Sequence, residues 1–391
     1  MVTLETADKA LKQVYLGVVA DQLNLGVNPF LSKVRQSTAD VWGKEIVKLV
    51  PYGMNGGIGA GTETGDLPDP AANNYDRFRL ELKNLYGTIE LSDKAIRASQ
   101  SSAGAFVNLL NAEMDGLLKA SKFNLGRMLY GDGSGKLATT KATDSTGAII
   151  ALDSVRNVME GMVVDYYASE SDVAPTKSGM RILAVDRDKK AVHVDHADGL
   201  SVADGGLLTV QGSRNNELTG LEAIFSDKDL YGLSRAERSW LQPGKGSVTA
   251  NEPFSMAYMQ ERIDRIEELA GSHVDYIVTT YDARRQYMTD MAMLRINLDY
   301  MTLDGGFKTL AHNGIPIVAD RFVPERCMYL LNSKDFCLHQ LCDWRWLEGD
   351  GGKIIKQKQG SATYGATLVK YADMICDRPI GQGKIENIRK F

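Results

Sequence analysis

The run "PYGMNGGIGAGTETGDLPD", residues 51–69, places glycines at 53, 56, 57, 59, 61 and 65 and is the stretch most suggestive of chemistry. Glycine-rich loops can cradle phosphate, because backbone N–H groups reach the anion with no side chain in the way. A P-loop, however, ends in Gly-Lys-Ser/Thr, whose lysine reaches the phosphates, and G-I-G-A-G at 57–61 is followed by Thr-Glu-Thr. A dinucleotide fingerprint needs a tight turn into a helix whose N-terminus faces the pyrophosphate, and here the following residues read as a strand. Residues 51–75 also carry Glu63, Asp66 and Asp69 and no Lys or Arg, so the run repels phosphate. It reads as a hairpin tip whose glycines supply backbone freedom.

Other reactive residues are scattered. His193 and His196 in "HVDH" lie three apart, which puts them on opposite faces of a strand. Asp186 and Asp188 lack the glycine and terminal glutamate of a calcium loop and read as solvated turn residues. His273, His312 and His339 stand apart, and no G-x-S-x-G elbow occurs. Cys327, Cys337, Cys342 and Cys376 form no C-x-x-C pair and read as reduced thiols. "DYY" at 165–167 and Trp240 could be ligand aromatics, but such residues more often belong to a core or an interface. The expectation is no catalytic residue, no cofactor-binding residue, no metal ligand and no cofactor.

Hydrophobic residues make up 43% and charged residues 24%, the balance of a globular protein. The net charge of -5 argues against tight, phosphate-directed binding to nucleic acid. Glu5 and Asp8 occupy the place of a signal peptide's basic region, and runs such as "IPIVA" at 315–319 are too short to span a bilayer. The expectation is a soluble chain made in a cytosol, with no membrane partner.

Periodicity supplies the elements that must carry these residues. Leu4, Ala7, Leu11, Val14, Tyr15 and Val18 predict an amphipathic helix over 3–22, and residues 23–43 suit an extended arm. "EIVKLVP" at 45–51 predicts a strand. In "RFRLELKNLYGTIELS", 77–92, Phe78, Leu80 and Leu82 alternate with charged residues and predict a second. Val107, Leu110, Met114, Leu117, Leu118, Leu125, Met128 and Leu129 predict a long helix over 101–131, capped by Ser101 or Ser102 and ended by Gly131. Gly116 and Gly126 are places where that helix could bend. Short strands over 148–225 suggest a small barrel or sandwich. Met256, Met259, Ile263 and Ile266 predict a helix opened by Pro253 and closed by Gly271. "VDYIVTT" then predicts a strand, "YDARRQYMTDMAML" a helix, and "GIPIVAD", "CMYLLN" and "KDFCLHQL" further strands. "ATLVKYADMICD", 366–377, reads as the last strand.

This order of parts resembles the major capsid proteins of tailed bacteriophages, with the Hong Kong ninety-seven phage capsid fold shared by encapsulins and herpesvirus capsid floors. "LKNLYGTIELSDKAI" resembles the family's hairpin return strand, and "VDYIVTTYDARRQY" its axial strand–helix pair. Gly314, Pro316, Ile317, Asp320, Pro324, Tyr329 and Leu331 match its G-x-P-[IV]-x-x-D…P…Y-x-L strand pair. The resemblance implies an α+β fold with an N-terminal arm (1–44), an extended β-hairpin loop (45–92) and a peripheral domain (93–147 and 356–391) built on a spine helix (101–131). An inserted small β-barrel-like domain (148–225) and a mainly axial domain (226–355) complete it.

It further implies a structural subunit, not an enzyme, assembling into hexamers and pentamers of an icosahedral virion capsid around double-stranded DNA in the host cytoplasm. The DNA would be enclosed without sequence-specific binding. Hairpin-tip contacts between copies would fall at Gly53, Met54, Gly57, Gly59, Gly61, Glu63, Asp66 and Asp69. The spine-helix core would comprise Val107, Leu110, Met114, Leu117, Leu118 and Met128. Residues 49–82 contain no lysine, so the isopeptide bond some members form from this loop is not expected. The hairpin starts near residue 45, with no room before it for a fused scaffolding segment. The implied partners are therefore further copies, a separate scaffolding protein, a portal protein and a cement or decoration protein. An encapsulin-like nanocompartment shell is the alternative within the fold; a β-rich carbohydrate-binding or hydrolase protein is the alternative outside it.

Overall fold

The computed structural model describes residues 29–94, 103–248, 254–293, 300–302, 308–349 and 352–389. The helix expected over 3–22, the Ser101 or Ser102 cap and Pro253 lie outside them. The described helices of five residues or more are α1 (Ala103–Met128), α2 (Leu221–Phe225), α3 (Met256–Ala270) and α4 (Tyr281–Met293).

The body is built around the strand Thr363–Cys376, which pairs antiparallel with Phe336–Trp346 on one side and Lys83–Ser92 on the other. Arg35–Ser37 adds in parallel to Phe336–Trp346, and Lys356–Gln357 completes a five-stranded sheet. Along Lys83–Ser92 every second residue from Leu85 to Leu91 is buried, the period of a strand with one covered face. The cover is α1, about 39 Å long at the standard rise. Its Met114, Leu117, Leu118, Leu125 and Met128 join Leu85, Ile89 and Leu91 in one core. Val107 and Leu110 belong to α1, but their side chains lie outside the described residues.

Two expectations for α1 are corrected. Gly131 does not end it in a left-handed turn; its N–H donates to Met128 O in a tightened last turn, and positive φ comes later, at Gly133 and Gly135. Gly126 is no free bending point, because a Cβ there would lie 2.5 Å from the Phe322 ring. That glycine serves close packing.

A seven-stranded sheet runs in the order Gly244–Ser247, Gly383–Glu386, Met328–Leu331, Tyr276–Thr279, Ile315–Ala319, Lys308–His312, Tyr300–Thr302. Helices α3 and α4 bury Met259, Ile263, Ile266, Tyr287 and Met291 against Ile277, Ile317, Leu330 and Ile385. Ser255 caps α3 by accepting the Tyr258 N–H, and Gly271, at φ 56°, closes it. The chain does not finish its pairing at residue 377: Gly383–Glu386 returns to this sheet, parallel to Gly244–Ser247. "GKIE" is too short and too polar to announce itself.

Six strands close a barrel in the order Ala191–Val194, Ile149–Leu152, Lys136–Thr146, Leu207–Val210, Val163–Tyr167, Lys177–Asp186. Ile150, Val164, Tyr166, Met180, Val192 and Leu208 fill it. The expected bounds of 148–225 shift at both ends. Lys136–Thr146 is a barrel strand, while α2 packs into the body core through Leu221, Ile224 and Phe225. "DYY" is buried, with the Tyr166 hydroxyl in the barrel core accepting the Ala203 N–H. Below the barrel, Arg127 and Glu217 form a buried two-pronged ion pair at 2.5 and 2.8 Å, tying the returning chain to α1.

The described end of the expected arm is part of the body. Phe30, Leu31 and Val34 are buried in the main core, with the Phe30 ring edge-on to Phe336.

Candidate assembly surface

Glu45–Tyr52 and Asn74–Glu81 form an antiparallel hairpin, in register from Glu45↔Glu81 to Tyr52↔Asn74, with Val41–Trp42 as a short third strand. The alternating run at 77–92 is two strands rather than one. It leaves the hairpin at Leu82, whose N–H donates to Lys44 O, and continues as Lys83–Ser92 in the body sheet.

The near half of the hairpin is anchored. Ile46, Val50 and Phe78 are buried with Leu230, Tyr231, Leu241 and Ile375. Lys48 Nζ donates to both carboxylate oxygens of Asp377 at 2.7 and 2.8 Å, and Arg238 Nε donates to Asp76 at 2.6 Å. Desolvation works against ionisation of Asp76, but hydrogen bonds from Arg238 and from the Arg77 N–H hold its carboxyl below the usual range. The Trp240 ring lies parallel to Tyr52 at 5.3 Å and stacks on Phe78 as well, which makes it an anchor rather than a ligand aromatic.

Among the described residues nothing covers the far half. Beyond Tyr52 the two legs run side by side without ladder pairing, tied by side chains: Asn55 Nδ2 to Asn73 Oδ1 at 3.0 Å and Asn74 Nδ2 to Met54 O at 3.2 Å. A turn at Thr62–Gly65 closes the tip. From Tyr52 to that turn an extended leg reaches at most about 33 Å. Gly53, Met54, Gly59, Gly61, Glu63, Asp66 and Asp69 are all exposed, and Gly57 is half-buried between the legs.

Sequence reasoning singled out the glycines and acids of this tip but missed its apolar content. Trp42, Leu49, Tyr52, Met54, Ile58, Leu67 and Tyr75 are exposed, Leu67 at 89% and Met54 at 75%. Exposed apolar surface gathered on one projecting element marks an interaction site. A hint existed in "VW" and "YGM" beside polar neighbours, but aromatic residues on a strand look alike in sequence whether they face core or solvent. Among the described residues no three or more His, Cys, Asp or Glu side chains are grouped as a metal site would need, and no helix is long and apolar enough to cross a membrane.

The body is two sheets with α1 across one of them, and it carries a projecting hairpin and an inserted barrel. No protein-family model matches the sequence, and neither does any curated protein. Among solved structures the chain is similar to the cyanophage A-1(L) capsid asymmetric unit, with a TM-score of 0.55 and 12% identity over 95% of this chain and 93% of that one. The holo-SrpI encapsulin complex from Synechococcus elongatus PCC 7942 aligns at TM-score 0.48 and 8% identity over 93% of this chain and 88% of that one. The capsid of a native GTA particle aligns at 0.44 and 11% over 92% and 90%. These two scores are too low to carry an argument. The chain has the α+β fold of tailed-bacteriophage major capsid proteins, the Hong Kong ninety-seven type, with a small β-barrel inserted.

Proposed function

We propose that this chain is the structural subunit of an icosahedral phage capsid, assembling into hexamers and pentamers that enclose packaged double-stranded DNA. The observation that carries the reading is the far half of the hairpin. On a capsid fold, a projecting arm that exposes Met54, Ile58 and Leu67 has no cover for them among the described residues. Burying each such side chain on another copy is worth about 1.5–3 kcal/mol before ordering costs. Copies related by rotation, each reaching onto the next, meet that need all round a closed ring.

In this reading the five-stranded sheet with α1 is the peripheral domain and the seven-stranded sheet the axial one. The chain has no catalytic task. Its net charge of -5 lets DNA lie against the shell without being held through its phosphates. A scaffolding protein, a portal and a cement protein are the further partners, and the virion, assembled in the host cytoplasm, is the location. Size-exclusion chromatography and negative-stain microscopy of the purified protein test the proposal. Hollow shells or free five- and six-membered rings are expected. A monomer that stays monomeric at high concentration and with its scaffold added would overturn it, and shells loaded with a protein cargo and no DNA would replace it with an encapsulin-like container.

A further inference from the structure

The hairpin loop holds a constellation that the assembly reading does not use. Asn55 is followed by Gly56 and Gly57 in an exposed leg. Its Oδ1 accepts the Gly57 N–H at 2.8 Å, the closure of an Asx turn. That closure folds the side chain forward and encloses the amide carbon Cγ and the Gly56 peptide nitrogen in one hydrogen-bonded ring. The same hydrogen bond polarises the side-chain carbonyl, as an oxyanion donor does. The departing end of the amide, Nδ2, is held by Asn73 Oδ1 at 3.0 Å. Gly57 makes the arrangement sterically accessible: a Cβ there would lie 3.1 Å from Asn55 Oδ1 and 3.1 Å from the Ala71 nitrogen.

We infer that Asn55–Gly56 is a self-modification site, at which the backbone converts Asn55 to aspartate and isoaspartate through a cyclic imide. The Gly56 nitrogen, its proton taken by hydroxide, donates its electron pair to Asn55 Cγ and forms the new C–N bond. Negative charge collects on Oδ1, facing the Gly57 N–H. The Cγ–Nδ2 bond then breaks, and ammonia leaves with a proton from water. Water opens the five-membered imide at either carbonyl, giving aspartate or isoaspartate, with no redox change. Either product adds a negative charge to a tip that already carries Glu63, Asp66 and Asp69, and isoaspartate also lengthens one leg by a backbone carbon.

The chain contains its own control. Asn313–Gly314 has the same two residues, but Asn313 sits at φ 49° in a tight turn. The residue two further on, Ile315, is committed to the ladder opposite His312. That turn offers no free N–H to the side-chain carbonyl.

The test is peptide mapping by mass spectrometry of the full-length, unassembled chain incubated at mildly alkaline pH, folded and in denaturant, beside Gly57→Ala. Expected are conversion at Asn55 several-fold faster in the folded chain than in denaturant, little at Asn313, both aspartate and isoaspartate as products, and a several-fold slowing in Gly57→Ala. Conversion no faster than in denaturant, an unchanged rate in Gly57→Ala, or aspartate alone would each overturn the inference. None of these readouts depends on whether the chain forms shells.

Discussion

Two buried charges set the strongest residue-level expectations. Arg127 and Glu217 are both nearly inaccessible, and each is satisfied chiefly by the other. Glu217→Gln leaves a desolvated guanidinium without its counter-charge and is expected to cost about 3–5 kcal/mol, read by urea denaturation. Replacing both by apolar residues of similar size is expected to cost much less; equal losses would show that the pair matters for its shape and not its charge. Asp373 presents the opposite electrostatic case. It is buried and accepts hydrogen bonds from the Thr219 N–H and hydroxyl and from the Met374 N–H. Desolvation outweighs those bonds and pushes its pKa up from 3.8 to about 6. Between those values the folded chain binds more protons than the unfolded one. The stabilisation is therefore complete below 3.8 and lost as pH rises toward about 6, on the order of 3 kcal/mol from this group. Asp335, also raised by desolvation to about 6, adds the same sign. Asp373→Asn is expected to flatten the fall in stability between pH 4 and 6, measured as denaturation midpoint against pH. An unchanged slope would assign the whole effect to Asp335 and other groups. Nothing in sequence marked either aspartate, because burial of a charge depends on which distant segments close over it.

At the scale of elements, α1 shows how a correct period can conceal packing. Its apolar stripe was legible because a helix covering a sheet must repeat every three to four residues. Gly116 and Gly126 within it look equivalent in sequence and are not. A Cβ at Gly116 meets nothing within 4 Å, whereas one at Gly126 meets Phe322 at 2.5 Å. Gly116→Ala is expected to stabilise the chain by about 0.5–1 kcal/mol, through helix propensity. Gly126→Ala is expected to destabilise it by about 1–3 kcal/mol through overpacking. Thermal unfolding of the two variants checks both, and matching shifts of the same sign would refute the distinction. The break at Leu82 was hidden for a related reason. Apolar residues alternate on both sides of it, at even positions up to Leu82 and at odd ones from Leu85, so only a shift of phase marks the break, and a period of two says that one face is covered, not which strand lies alongside. The first barrel strand, Lys136–Thr146, was missed because its threonines and lysines carry no apolar alternation. The hairpin strands and α3 were readable because their signals are local: alternating charge in the one, the Met256, Met259, Ile263 and Ile266 stripe and Gly271 in the other.

At the scale of the molecule, one part of the hairpin serves the fold and another is the part the proposed assembly would use. Its near half contributes Ile46, Val50 and Phe78 to a core shared with Ile375, and Lys48 to the ion pair with Asp377. Its far half is almost wholly exposed, and its side-chain hydrogen bonds run within the hairpin, from Asn55 to Asn73 and from Asn74 to Met54. That division could be anticipated in outline, from a long glycine-rich linker between two strands, but the place where anchoring stops could not. It depends on Trp240 and Arg238, brought from far along the chain to Tyr52 and Asp76. The division makes the two roles separable. Replacing residues 54–72 by a two-residue Asn-Gly turn keeps the register up to Tyr52↔Asn74 and removes Met54, Ile58 and Leu67. The shortened chain is expected to unfold at the same temperature as the full one and to sediment as a monomer under conditions where the full chain forms rings or shells. A loss of thermal stability would show that the tip packs on its own body. Shells of normal size from the shortened chain would show that the exposed apolar arm is not what joins the copies. Because residues 49–82 contain no lysine, assembled particles of the full chain boiled in detergent are also expected to run as single chains. A ladder of covalent oligomers would place the bond elsewhere in the molecule and would make the apolar clasp only the first step of joining.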